Sequence, residues 1–106
     1  MNSEVGMAEV KILESETEIS LQLDGSFNIT NCGVLREALE TVIAKKQDRI
    51  MIDCQKLLEI DSSAIAELVK TTRNVIGKKK LFLRGVNPEI MKTFKVVGLH
   101  TFFKMV

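Results

Sequence analysis

The stretch that decides the fold is RIMIDCQKLLEIDSSAIAEL, residues 49–68. Its first part, residues 49–54, is an apolar run without polar alternation, which is typical of a strand covered on both faces in a parallel sheet. Its second part, residues 57–68, predicts a loop that leads into a helix with Ser62 and Ser63 at its first positions. A buried strand followed closely by a helix indicates a β–α unit of an α/β protein.

The residues before this stretch predict two strands and a helix. Residues 10–14 and 19–23 alternate apolar and polar side chains, which favours a β-hairpin with one solvated face. The Asp24-Gly25-Ser26 sequence then predicts a turn. Residues 31–44 change to helical spacing, and Thr30 or Asn31 can cap the start of this helix.

The residues after it predict two further strands around a third helix. Residues 81–83 form a short apolar strand, and Pro88 suits the first position of a helix that ends at Gly98. Residues 101–106 predict a last edge strand or a closing segment. The second and third helices are expected to bury Ile65, Leu68, Val69, Thr72 and Ile76, and Ile90, Met91, Phe94 and Val97, respectively.

The element order is therefore β β α β α β α β. Strands that alternate with helices predict right-handed crossovers and an α/β fold with a four- to five-stranded, mixed but mainly parallel sheet and three or more helices. The length of 106 residues suits a single domain, residues 1–106, in which residues 1–8 are predicted to be a flexible N-terminal segment.

The amino-acid composition argues against several classes of function. The 15 basic and 14 acidic residues leave a net charge of +1, and all the aromatic residues are Phe, so no nucleic-acid surface is indicated. Cys32 and Cys54 do not form a CxxC motif and His100 is the only histidine, which argues against a zinc site. Without a signal peptide or a membrane-length apolar run, we expect a cytoplasmic protein that inserts in no membrane.

The segment around Ser62 is the candidate functional site. Helix N-termini carry unpaired amide groups and partial positive charge, so a phosphate on Ser62 or Ser63 would be tolerated there. The phosphate would add about −1.5 to −2 charge beside Asp61. From the residues alone, the alternative is that Asp61-Ser62-Ser63 only caps the helix.

Several segments together resemble the STAS family, which includes the bacterial anti-anti-sigma factors, also called anti-sigma factor antagonists. The resemblance extends over residues 10–106. It rests on LDGSFN at residues 23–28, IMID at 50–53, IDSS at 60–63, VNPEI at 86–90 and GLHTFF at 98–103. Two positions depart from the family pattern: Ala64 replaces a usual Gly, and Asn28 replaces a frequent acidic residue.

The resemblance implies a STAS-like fold and a partner-switching function without catalysis or a cofactor. The unphosphorylated chain would bind an anti-sigma factor that is also a serine kinase and release a sigma factor. Phosphorylation of Ser62, with Ser63 as the alternative acceptor, would end binding, and a serine phosphatase would restore it. The implied partner-binding residues are Asp24, Gly25, Ser26, Asn28, Asp53, Asp61, Ser62, Ser63, Ala64 and Glu67.

Three alternatives stay open at this stage. Ser62, His100 and Asp53 are the residue types of a hydrolase triad, but no Gly-x-Ser-x-Gly motif surrounds Ser62. Asp24, Asp53 and Asp61 could form a carboxylate cluster for Mg²⁺, although turn and cap carboxylates explain them equally well. The stronger rival is an unphosphorylated STAS interaction or scaffold module of a signalling or transport complex. A homodimer is compatible with either STAS function.

Overall fold

The computed structural model describes residues 8–106. The predicted flexible segment, residues 1–8, lies outside the described residues except for Ala8, which begins the first strand. In chain order the elements are β1 (Ala8–Glu14), β2 (Glu18–Phe27), α1 (Cys32–Ile43), β3 (Arg49–Ile60), α2 (Ser62–Val75), β4 (Lys80–Arg84), α3 (Pro88–Val96), a 3₁₀ turn (Leu99–Thr101) and β5 (Lys104–Met105).

The described strands form one five-stranded sheet in the order β1-β2-β3-β4-β5. β1 pairs with β2 in antiparallel orientation, and the other three pairs are parallel. The predicted α/β fold with a mixed, mainly parallel sheet is confirmed. β5 pairs with β4 at one edge, so the last segment is an edge strand.

A single hydrophobic core joins one face of the sheet to the three helices. Alternate residues of the strands, such as Leu21, Ile52 and Leu83, are almost completely buried in it, and Phe94 of α3 is fully buried. Burial of each such side chain contributes about 1.5–3 kcal/mol. The residues between them point to the other face, where the Arg49 guanidinium lies 4.3 Å from the centre of the Phe82 ring.

Both central strands are longer than the sequence predicts. The prediction of a turn at Asp24-Gly25-Ser26 is wrong, because β2 continues to Phe27. The pairing of β2 with β3 shifts register twice in this segment, and Gly25 has a φ of 98°. β3 does not end near Asp53, and its last residues, predicted as a loop, pair with the extended β2. Bulges accommodate the turn-type residues without ending the strand.

Two predicted core residues are instead half exposed. Ile76 and Val97 have 50% and 46% of their surface accessible. α2 ends at Val75 and α3 ends at Val96, so each of these two residues follows the last residue of its helix. Helical spacing therefore no longer places their side chains on the buried face. Val75 occupies the buried position at the end of α2.

Candidate functional site

Asp61 joins the end of β3, the segment after β2 and the start of α2. Its backbone N–H donates to the Phe27 carbonyl over 3.0 Å, which continues the ladder between the two strands. One carboxylate oxygen accepts from the amides of Ser63 and Ala64 at 3.0 and 3.2 Å. The other accepts from the Ile29 amide at 3.2 Å. The predicted N-cap is therefore present, and the same side chain also fixes the neighbouring loop.

Ser62 is the first residue of α2 and is exposed to solvent. Its hydroxyl donates no hydrogen bond to any residue that the structure describes, and it is accessible to solvent. Ser63 is half buried, and its amide is held by Asp61. The geometry therefore favours Ser62 over Ser63 as the more accessible hydroxyl.

Two other sequence-predicted binding residues face inward. Ala64 is fully buried, so its methyl group packs into the core and does not crowd a docking partner. Glu67 is 7% exposed, and its carboxylate accepts two hydrogen bonds from the Arg36 guanidinium of α1 at 3.1 and 3.2 Å. This hydrogen bonding and the negative charge of Glu67 raise the pKa of Arg36. Glu67 therefore links α1 to α2.

Asp53 lies in the middle of β3 and is 4% exposed. Its carboxylate accepts from the Arg84 guanidinium at 2.6 Å, and this bond and its charge raise the pKa of Arg84. Burial, and secondarily the Asp53 charge, raises the pKa of the adjacent Cys54 thiol to about 12, so this thiol stays protonated at neutral pH. Asp53 thus anchors β4 to β3, seven residues before Ile60 ends the strand.

The extended ends of β2 and β3 carry other predicted residues to the neighbourhood of Asp61. The Ser26 hydroxyl donates to Glu59 across the strand pair at 3.3 Å. Asn28 follows β2 directly, and its side-chain oxygen accepts from the Thr30 amide at 2.9 Å. Asp24 lies earlier in β2 and pairs with Lys56. Ser26 and Asn28 therefore lie close to the Ser62 end of the sheet, and Asp24 lies further from it.

Two exposed apolar side chains at this end were not predicted as site residues. Ile29 and Leu58 are each 69% exposed. Ile29 is held by the Asp61 carboxylate, and Leu58 lies three residues before Asp61 on β3. Ile29 and Leu58 are therefore candidate contacts for a partner protein at this end of the sheet. The sequence signal was weak, because a single exposed Ile or Leu cannot be distinguished from a core residue by periodicity.

The metal and hydrolase alternatives find little support in the geometry. Across residues 8–106, no group of three or more His, Cys, Asp and Glu side chains could hold a metal ion. Asp24, Asp53 and Asp61 have separate roles in β2, β3 and the α2 cap. No hydrogen bond joins any two of Ser62, His100 and Asp53, all of which the structure describes. In the same part of the chain, no helix has the length and apolar character needed to cross a membrane.

Replacing Asp61 with alanine should lower the free energy of unfolding by about 2 kcal/mol, because helix caps of this type contribute about 1–2 kcal/mol and the Ile29 amide also loses its acceptor. Urea denaturation followed by circular dichroism measures the change. Asp61→Asn is the matched control, since it retains an oxygen for the cap but loses the charge. A loss below 0.5 kcal/mol for Asp61→Ala would contradict this role of Asp61.

Comparisons with known proteins agree with this fold. The family model described as "Mlab, STAS domain" matches residues 11–106. The chain therefore belongs to the STAS domain family. No curated protein matches the chain significantly.

Solved structures with the same fold include anti-sigma factor antagonists at low sequence identity. One from Mycobacterium paratuberculosis has a TM-score of 0.86 and 14% identity, covering 98% of this chain and 89% of that one. The phosphorylated form of the Bacillus cell fate determinant SpoIIAA has a TM-score of 0.71 and 17% identity, covering 94% and 91%. A STAS domain protein from Planctomyces limnophilus has a TM-score of 0.79 and 14% identity, covering 94% and 90%.

Proposed function

We propose that this chain is a partner-switching protein of the anti-sigma factor antagonist type. In the unphosphorylated state it binds an anti-sigma factor with serine kinase activity, and a sigma factor is released. The observation that carries this proposal is the exposed Ser62 hydroxyl on the first residue of a helix whose cap, Asp61, also holds the adjacent loop. The chain itself catalyses nothing and needs no cofactor, because the partner supplies ATP.

The position of Ser62 explains how a phosphate could switch binding without unfolding the domain. The N-terminal amides of α2 and its dipole favour a negative charge at this point. The same charge would lie beside Asp61, whose carboxylate binds the amide of the exposed residue Ile29, at the end of the sheet that also carries the exposed Leu58. A partner that buries these apolar groups would then have to desolvate a phosphate, which costs several kcal/mol unless it is paired.

A constitutive STAS interaction module is the second candidate function. It is favoured by Asn28, which stands where a frequent acidic residue is expected and whose side-chain oxygen is bonded to Thr30. The module would use the same surface, formed by Ile29, Leu58 and Ser62, without phosphorylation. Both candidates fit a cytoplasmic protein, and a homodimer is compatible with either.

Intact mass measurement of the protein purified from its own cells, with phosphopeptide mapping, distinguishes the two functions. We expect a mass increase of one phosphate on Ser62 that disappears after phosphatase treatment. The Ser62→Ala variant, expressed in the same cells, is the control and should carry no phosphate. If no phosphate is found in any growth phase, the switch is wrong and the constitutive module remains.

A further inference from the structure

In the part of the chain that the structure describes, a groove lies between α2 and α3. Its larger part has a volume of about 430 Å³ and continues into a smaller part of about 190 Å³. Ser62 lies at one end, and Val69, Arg73 and Val97 line both parts. The smaller part reaches Phe102, whose side chain is 49% exposed.

The walls of the groove are apolar and partly exposed. Val97 and Ile76, which the sequence predicted to be in the core, are half exposed on these walls, and Ile65 and Val69 contribute from α2. These side chains come from α2 and from the residues that directly follow α2 and α3, so the groove presents one apolar surface to solvent. α2 has 14 residues, which at 1.5 Å per residue gives the groove a length of about 20 Å, or roughly four helical turns.

The charged residues that line the groove are all basic. Lys70 and Arg73 project from α2, and no acidic side chain lines either part. Lys70 lies 3.7 Å from the Glu67 carboxylate, but Arg73 forms no ion pair with any described residue. Ser62, Ala66, Val69 and Arg73 follow helical spacing, so the serine and this cation share one face of α2.

We infer that the groove binds an amphipathic helix of the partner protein, whose apolar stripe packs on Val69, Val97 and Phe102 and whose acidic flank pairs with Arg73. The length and the apolar walls suit a helix of about four turns, and the basic lining selects an acidic one. The inference deepens the proposed function, on which it rests for the existence of a partner, but it does not require phosphorylation. When Ser62 is phosphorylated, the acidic helix meets a like charge at the end of the groove.

The test uses a defined probe. A synthetic 16-residue peptide with leucines at helical i, i+3, i+4 and i+7 spacing and glutamates on both flanks is titrated into the ¹⁵N-labelled full chain. We expect chemical-shift changes concentrated at Val69, Arg73, Val97 and Phe102. The same peptide with lysines in place of the glutamates should bind at least about tenfold more weakly. Shift changes outside the groove, no changes at millimolar peptide, or equal binding of the two peptides would overturn the inference.

Matched variants separate the groove from the rest of the surface. Val97→Lys places a charge in the groove and should weaken binding of the acidic peptide at least about tenfold. Val96→Lys is the control, because Val96 is 85% exposed, does not line the groove and precedes Val97 directly. Arg73→Glu should weaken binding similarly, whereas Lys95→Glu, in the last turn of α3, should not. Equal effects within either pair would contradict the inference.

Two further outcomes are distinct. If the same groove signals shift with rising protein concentration and no peptide, a second copy of the chain occupies the groove and the partner-helix inference is wrong. Since the titration contains no kinase, peptide binding in the groove together with an absence of phosphate in cells would retain the groove and reject the switch. Phosphate on Ser62 together with an absence of peptide binding would retain the switch and reject the groove as a binding site.

Discussion

Replacing Gly85 with alanine is expected to lower the free energy of unfolding by about 3 kcal/mol, because two separate penalties add. Gly85 follows β4 and has a φ of +70°, a conformation that L side chains rarely adopt. A Cβ atom there would lie 2.3 Å from Cγ and 3.1 Å from the backbone Cα of Gln55 on β3. The Gln55 side chain can rotate away, but its backbone is held in the central strand.

Gly77→Ala is the matched control for this prediction. Gly77 has a φ of +79°, but an added Cβ would meet no atom within 4 Å. Its substitution should therefore cost only the conformational term, about 1 kcal/mol. Urea denaturation of both variants measures the difference. Equal losses would mean that β3 moves away from residue 85, which would contradict close packing of the two strands next to the Asp53–Arg84 ion pair.

Local patterns in the sequence determine most of the fold. Helical spacing, Pro88 at the start of α3 and the alternating strands correctly predict the order of elements and the mainly parallel sheet. The position at which a strand ends is not determined by adjacent residues alone, because it also depends on how far the neighbouring strand continues. The turn-type residues Asp24 to Ser26 therefore form bulges, since β3 offers them a partner as far as Ile60.

The same distinction applies to the candidate site. The cap at Asp61 and the helical position of Ser62 depend on adjacent residues, and the sequence predicts both. The structural positions of Asp53 and Glu67 could not be predicted, because their arginine partners lie 31 residues away along the chain. The periodicity of a sequence contains no information about hydrogen bonds between elements that are distant along the chain. A carboxylate that joins two elements therefore cannot be distinguished, from the sequence, from an exposed carboxylate.

The Ser62→Asp variant is expected to bind the partner about 100-fold more weakly than the wild-type chain, a loss of about 2.7 kcal/mol of binding free energy. Ser62→Ala should bind within about threefold of the wild type, because it removes one exposed hydroxyl and adds no charge. The partner is first captured from the protein's own cells with the Ser62→Ala chain, identified by mass spectrometry and purified. Isothermal titration calorimetry then gives the affinity of each variant.

Stability must be measured in parallel, because loss of fold would also abolish binding. A negative charge at the first residue of α2 interacts favourably with the helix dipole, typically by about 0.3–1 kcal/mol. Ser62→Asp and the phosphorylated chain should therefore be at least as stable in urea as the wild type. A marked loss of stability would show that the charge acts by unfolding the helix, and the proposed switch would be wrong.

Ser63→Asp is the matched control for position, since it adds the same charge one residue further along the helix. Ser63 is half buried and its amide is bonded to Asp61, so this charge is directed less towards a docked partner. We expect Ser63→Asp to weaken binding less than tenfold, in contrast to about 100-fold for Ser62→Asp. The reverse order would identify Ser63 as the switching position. Equal affinities for the wild type and all the Ser62 and Ser63 variants would reject partner switching and leave a constitutive STAS module, because a charge that a bound partner does not sense cannot release it.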